Sequence, residues 1–229
     1  STSKEITGYD LFSASDLPNP RRNKEIKPLK LTIKEIKEIV ECFTNAAVRV
    51  KDAGFDGVEI HAAHGYLLHQ FFSPLTNNRN DEYGGDILGR IKIHLEIIKS
   101  VRKAVGENFS IFIRFGACDY MEGGVTIEDS MKAAVEFEKA GVDIIDISGG
   151  FSGYIIPDFN VQGYFSPLTE AIKHVVSIPV ILTGGVTEPE AAEKLLSENK
   201  ADLIGVGRAI LSDSDWAKNA ILKMKEPKK

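Results

Sequence analysis

Cysteine is scarce in this chain: its 229 residues include only Cys42 and Cys118, far apart in sequence. Two thiols alone cannot build a four-cysteine zinc site or hold an iron–sulfur cluster. Such sparse usage fits a reducing cytosol, so a cytoplasmic protein without a disulfide is expected. Long apolar runs are missing as well. No stretch approaches the roughly 18 residues of a bilayer span, no secretory signal is visible, and no membrane partner is expected. Excess positive charge is also absent: 28 Lys and Arg stand against 33 Asp and Glu, a formal net charge of −5. Nothing in that balance suggests a nucleic-acid partner or another polyanion. The basic end "KMKEPKK" is short, contains an acid and reads as a solvated terminus.

What is present has the proportions of a globular protein, 43% hydrophobic and 27% charged residues, and suffices for one well-buried core. Residues 1–30 carry no sustained period and contain "DLPNPRR" and "IKPLK", so an extended N-terminal loop is expected there. From Thr32 the pattern changes. Thr32 and Glu35 have capping-box spacing, and Ile33, Ile36, Val40, Phe43, Ala47 and Val50 recur at helical intervals up to Gly54. A short apolar strand, "FDGVEIH", follows. The helix–glycine–strand pattern returns: "AGFDGVEIH" at 53–61 resembles "AGVDIIDIS" at 140–148, and "KADLIGVGR" at 200–208 is a looser copy. "SIFIRF" at 110–115 and "IPVILTG" at 178–184 complete five strands. Helices are predicted near 88–105, 127–140, 168–176, 188–198 and 214–224, with start signals at Thr126/Asp129 and Thr187/Glu190.

Strands alternating with helices imply parallel βα units. The strands read as apolar runs, as expected when both faces are covered. Two α/β architectures fit, an open doubly wound sheet or part of a (β/α)8 barrel. In both, functional residues belong just beyond the strands' carboxyl ends, where His61, Arg114, Ser148, Gly184–Gly185 and Gly207–Arg208 fall. Residues 31–229 are read as a single domain.

His61 and His64 stand three residues apart, a helical spacing that lets two imidazoles converge on one ligand atom. A metal would need further ligands; His69 lies among apolar residues without an obvious carboxylate, so no metal site is expected. A phenol, with an ordinary pKa of about 10, can protonate a more basic carbanion. Beside the two imidazoles, that makes Tyr66 a candidate general acid as well as a candidate packing residue. Arg114 is a cation within an apolar strand and has two readings, an ion pair with Asp119, Asp146 or another neighbour, or a contact with an anionic ligand. "LTGGVTE" and "IGVGRAI" place glycines after consecutive strands, where backbone N–H groups can meet a phosphate, and Arg208 would add charge-assisted hydrogen bonds. "NNRNDEYGGDILGR" lacks the Walker spacing and is assigned to architecture.

"AGFDGVEIHAAHGYLLHQFFSPLTNNRNDEYGG" closely resembles the Old Yellow Enzyme family, the NADH:flavin oxidoreductase/NADH oxidase proteins. The likeness continues in the family's order through "IRFGACDY", "AGVDIIDISGG", "PVILTGGVTEPEAAE" and "ADLIGVGRAIL". Members are FMN-containing (β/α)8 TIM barrels that reduce activated alkenes with NADH or NADPH. The resemblance implies that His61 and His64 bind the carbonyl oxygen of an α,β-unsaturated substrate and that Tyr66 protonates its α-carbon. It implies that Arg114 faces the flavin's pyrimidine end and that Gly184, Gly185, Gly207 and Arg208 hold the FMN phosphate.

Against the family pattern, the three strands that precede the one ending at His61 have no counterpart, and residues 1–30 resemble the loop after the third. Gly89 stands where "GGS.ENR" has asparagine, while Arg90 remains. The expected fold is thus an incomplete barrel of about five βα units, strands four to eight. Weak or absent FMN is expected of this chain alone, as is association with another copy or with the missing N-terminal half of the barrel. The competing readings are a barrel fragment that self-associates without catalysis, and a flavin-free lyase or isomerase acting on a phosphorylated substrate.

Overall fold

The structure, a computed structural model, describes residues 8–21, 25–156 and 161–225. Residues 1–7 and 22–24 of the N-terminal segment and 226–229 of the basic tail lie outside them. Two short strands, β1 (Phe12–Ser13) and β2 (Leu29–Lys30), pair in parallel. Thr32 then caps α1 (Ile33–Asp52): its Oγ1 accepts from the Glu35 N–H at 3.2 Å, while its own N–H donates to Glu35 Oε2 at 2.7 Å. This is the reciprocal capping box its spacing predicts.

Five βα steps follow. They are β3 (Gly57–Ala62) with α2 (Leu67–Phe72) and α3 (Ile87–Val105), β4 (Ser110–Gly116) with α4 (Ile127–Ala140), and β5 (Ile144–Ser148) with α5 (Ser166–Lys173). After these come β6 (Val180–Thr183) with α6 (Pro189–Ser197), and β7 (Leu203–Gly205) with α7 (Arg208–Ser212) and α8 (Trp216–Lys225). The five strands form one parallel sheet in sequence order. Each new strand is added beside the last, so right-handed crossovers place every helix on the same side. A doubly wound sheet reverses its strand order and has helices on both sides; the sequential order rules it out and leaves the partial barrel.

The one-sided cover corrects the reading of strands covered on both faces. Ile60, Ala62, Ile111, Ile113, Phe115, Ile145, Ile147, Val180 and Leu182 are buried on the helix side. The other face alternates with them in register: His61 lies opposite Arg114, Arg114 opposite Asp146, and Asp146 opposite Ile181. This second face therefore carries the charged and polar residues that lead to the strand ends.

One start signal fails. α6 is capped by Glu188 without a side-chain bond, and Pro189 fixes its first turn. Thr187 instead receives a hydrogen bond from Gln162 Nε2 at 2.8 Å and donates its N–H to Gln162 Oε1 at 2.8 Å. The 77–90 loop is architectural. Buried Arg79 donates to the carbonyls of Ala14 and Leu31, both at 2.7 Å, and pairs with Asp81. A Cβ at Gly89 would lie 2.0 Å from the Gly84 carbonyl oxygen, which explains why this position holds glycine.

Beneath the strand ends lies Asp119, wholly out of solvent. Its Oδ1 accepts from His69 Nε2 at 2.7 Å and Phe151 N at 2.8 Å; Oδ2 accepts from Ser73 Oγ at 2.7 Å and Val125 N at 2.8 Å. Burial alone would raise its pKa, but these donors, His69 foremost, hold the carboxyl below the usual range. Asp119→Ala leaves four buried donors without a partner and should cost about 3–5 kcal/mol in urea unfolding, with a cost below about 1 kcal/mol counting against this account. The sign with pH follows from the lowered value. The wild-type contribution is full above the ordinary 3.8 and is lost as pH falls through the folded value, a limb that Asp119→Ala should lack.

Candidate active site

His61 is near the end of β3, but the next residues are not helical, so the helical reading of its spacing with His64 is corrected. His64 and Gly65 are both left-handed, with φ of 59° and 71°. This turns the chain sharply, and Tyr66 becomes the residue that caps α2. Gly65 is required at the corner because a Cβ there would lie 2.7 Å from the Phe151 ring. The corner brings the three side chains together: the His61 ring centroid is 5.2 Å from that of His64 and 5.1 Å from that of Tyr66.

His64 is fastened to the loop after β5. Its N–H donates to the Gly149 carbonyl at 3.3 Å, and its Nε2 lies 2.7 Å from Ser148 Oγ. Both imidazoles are half-buried. Burial, reinforced by the Arg114 guanidinium, lowers the His61 pKa and pushes that of His64 down to about 4. At neutral pH these rings are uncharged, each with one N–H to donate and one nitrogen to accept. His69 stands apart from them, fully buried on Asp119.

Of the two readings of Arg114, the ion pair is present, with Asp146 as the partner. Nη1 donates to Asp146 Oδ2 at 2.6 Å, and the side chain also lines a cleft of ≈ 310 Å³ at the ends of β4, β6 and β7. Burial pushes the Asp146 carboxyl upward against the pull of Arg114, and burial raises the adjacent Glu59 as well. The same cleft collects Gly184, Gly185, Gly207 and Arg208. Packing accounts for two of these glycines: a Cβ at Gly184 would lie 2.5 Å from the Phe165 ring, and one at Gly185, where φ is 71°, would lie 2.3 Å from Tyr164. Gly207 faces open space. Arg208 is exposed, donates to Tyr164 Oη at 3.1 Å and lies 5.8 Å from the Tyr154 ring centroid. Among the described residues it has no ion-pair partner, and a guanidinium beside an open glycine and a backbone turn fits a phosphate-bearing group.

Tyr154 and Tyr164 line the cleft without having been expected from the sequence, and Gln162 holds Thr187 at its rim. All come from the segment between β5 and α5, which shows no hydrophobic period.

A family model described as NADH:flavin oxidoreductase / NADH oxidase matches residues 8–226. The chain belongs to this family. It is 46% identical over 198 residues to an NADH oxidase of Thermoanaerobacter brockii, a match that covers 85% of this chain and 30% of that protein. It is 43% identical over 204 residues to an NADPH dehydrogenase of Listeria welshimeri, covering 89% and 59%. A solved morphinone reductase variant in complex with tetrahydroNAD superposes with a TM-score of 0.77 at 26% identity, over 94% of this chain and 60% of that one. The chain therefore spans three-fifths or less of these relatives. NADH:flavin oxidoreductases are enzymes that use FMN, with NADH or NADPH as reductant. This membership argues against the flavin-free lyase or isomerase, and the Arg208 cleft suits the cofactor's phosphate.

The lowered His64 pKa makes a stability prediction. Between its ordinary 6.5 and about 4 the unfolded chain binds the proton more readily, so folding weakens as pH falls through that window. Asparagine tolerates the left-handed corner, so His64→Asn should shrink the loss of urea stability between neutral and mildly acidic pH. Parallel wild-type and variant curves would refute the assignment.

Proposed function

We propose that this chain carries the substrate-polarising and phosphate-binding parts of an FMN-dependent, NAD(P)H-driven reductase of α,β-unsaturated carbonyl compounds. The observation that carries this reading is the convergence of two imidazoles and a phenol beside a cleft whose Arg208 has no ion-pair partner among the described residues. Bound FMN would supply the hydride relay between reductant and alkene. Within the chain, His61 and His64 donate hydrogen bonds to the carbonyl oxygen. They draw electron density from the double bond and stabilise the charge that gathers on that oxygen. Tyr66 is 47% exposed, within reach of an incoming molecule, and gives its proton to the α-carbon. Arg114, held by Asp146, would offer positive charge to the pyrimidine end of a bound flavin, where reduction adds negative charge. Gly207 and Arg208 would hold its phosphate, with Gly184 and Gly185 shaping the turn beside it.

With excess FMN and NADPH, the His61→Ala/His64→Ala double variant should lower kcat/KM for a cyclic enone by about 10²–10⁴-fold, and Tyr66→Phe should lower kcat by about 10²-fold. Unchanged turnover in the double variant would sink the reading. FMN should bind this chain weakly, since one sheet with an uncovered face offers part of a wall, and Arg208→Gln should weaken it further. Stoichiometric flavin surviving purification would contradict the first expectation, and equal affinity in the variant the second.

A second reading, a chain that associates with itself without catalysis, is favoured by one observation. The outer edges of β3 and β7 have no partner strand among the described residues, and Leu203 on β7 is 45% exposed. Sedimentation should then show a concentration-dependent dimer or larger species; a monomer throughout would dismiss it.

A further inference from the structure

Ser148 ends β5 and is fully buried. Its carbonyl accepts from the Ala117 N–H at 3.0 Å. Among the described residues its hydroxyl makes one hydrogen bond, to His64 Nε2 at 2.7 Å. A hydroxyl has one proton to give and two lone pairs to fill, and a dry, unmatched donor is the costlier omission. If Nε2 carried the ring proton, Ser148 would accept it, and its own proton would remain buried without an acceptor. The arrangement that leaves no donor unmatched has Ser148 donating to a bare Nε2. The proton of the neutral ring then resides on Nδ1.

We propose that Ser148 is a positioning residue that locks His64 in the tautomer protonated on Nδ1, leaving Nδ1–H as the donor offered to a substrate oxygen. The proposal rests on the reading of His64 as a carbonyl-binding residue. The surrounding geometry supports a lock rather than a passing contact. The His64 backbone is tied to Gly149, the residue after Ser148, and the loop is tied in turn by Gly150 N to the Cys118 carbonyl at 2.8 Å and by Phe151 N to Asp119. Ring and hydroxyl therefore belong to two segments that cannot shift independently. Burial, together with Arg114, keeps the ring uncharged, so that a tautomer choice exists to be made.

The test is long-range proton–nitrogen NMR of the imidazoles in the full chain at neutral pH, with the His64 signals assigned by their loss in His64→Asn. His69 is the internal reference: its Nε2 faces the Asp119 carboxylate and carries the proton. In the wild type, His64 should show the opposite pattern, with Nδ1 protonated and Nε2 bare. Ser148→Ala should shift the His64 tautomer ratio toward Nε2–H by about two- to tenfold, the factor one net hydrogen bond provides, and leave His69 unchanged. Ser148→Cys keeps the volume with a weaker donor; it should shift the ratio in the same direction and provides the readout if the alanine variant does not fold. A protonated Nε2 on wild-type His64, or a ratio unmoved in a folded variant, would overturn the proposal. Neither flavin nor substrate enters the measurement, so its failure is separate from failure of the reductase reading. A wild type with the Nδ1–H pattern but no enone turnover would support the lock and refute the reductase.

Discussion

A carboxylate removed from water must be met by donors, and Asp119 imposes that requirement where the loops after three strands meet. Its four partners come from α2, from the residue after α2, from the loop between β4 and α4, and from the loop after β5. No two of these segments can move apart without leaving a buried charge poorly solvated, a change costly enough to hold them together. The glycines nearby follow from the same crowding. A Cβ at Gly150 would lie 2.2 Å from Asp119 Oδ1, and one at Gly116 would lie 2.6 Å from His69 Nδ1. The corner that carries His61, His64 and Tyr66 is built on this clamp.

Electrostatics at the strand ends depends on register. Because the strands are parallel and in sequence order, His61, Arg114 and Asp146 stand side by side on the face opposite the helices. The guanidinium helps keep the imidazoles uncharged, and the buried carboxylate holds the guanidinium. A cation, two neutral donors and an exposed phenol thus coexist without mutual neutralisation. Moving any strand by one residue would turn its members toward the helix side and dissolve the set.

Most of the architecture was legible because it is local or periodic. Thr32 and Glu35 announce α1, and the repeated glycine–strand pattern announces the parallel units. The five strand ends nominate every residue of the two charged and glycine-rich constellations. Non-local geometry was not legible. His69 and Asp119 are fifty residues apart, and nothing in the apolar stretch around His69 indicates a carboxylate partner. The three-residue interval between His61 and His64 suggested a helix, yet convergence comes from a left-handed corner whose only trace is Gly65. The glycine pair Gly184–Gly185 is visible in the sequence, but the aromatic rings that leave no room for side chains there come from a segment without periodicity. Thr187 has the spacing of a cap and serves as a partner for Gln162, a contact that only the folded chain creates.

His64 and Arg208 are held to different degrees, and the difference fits the chemistry proposed for each. Hydrogen-bond donors that must meet a developing charge need fixed directions, since an error of an ångström removes much of their effect. His64 satisfies this through a backbone bond, a side-chain bond and a strained corner held by buried neighbours. A phosphate spreads its charge over several oxygens and accepts donors from many directions, so Arg208 can remain exposed, steadied by the Tyr164 hydroxyl and the Tyr154 ring. On the proposed reading, the more heavily tied side chain is the one whose orientation would decide the rate, and the exposed guanidinium is the one that would meet the anion.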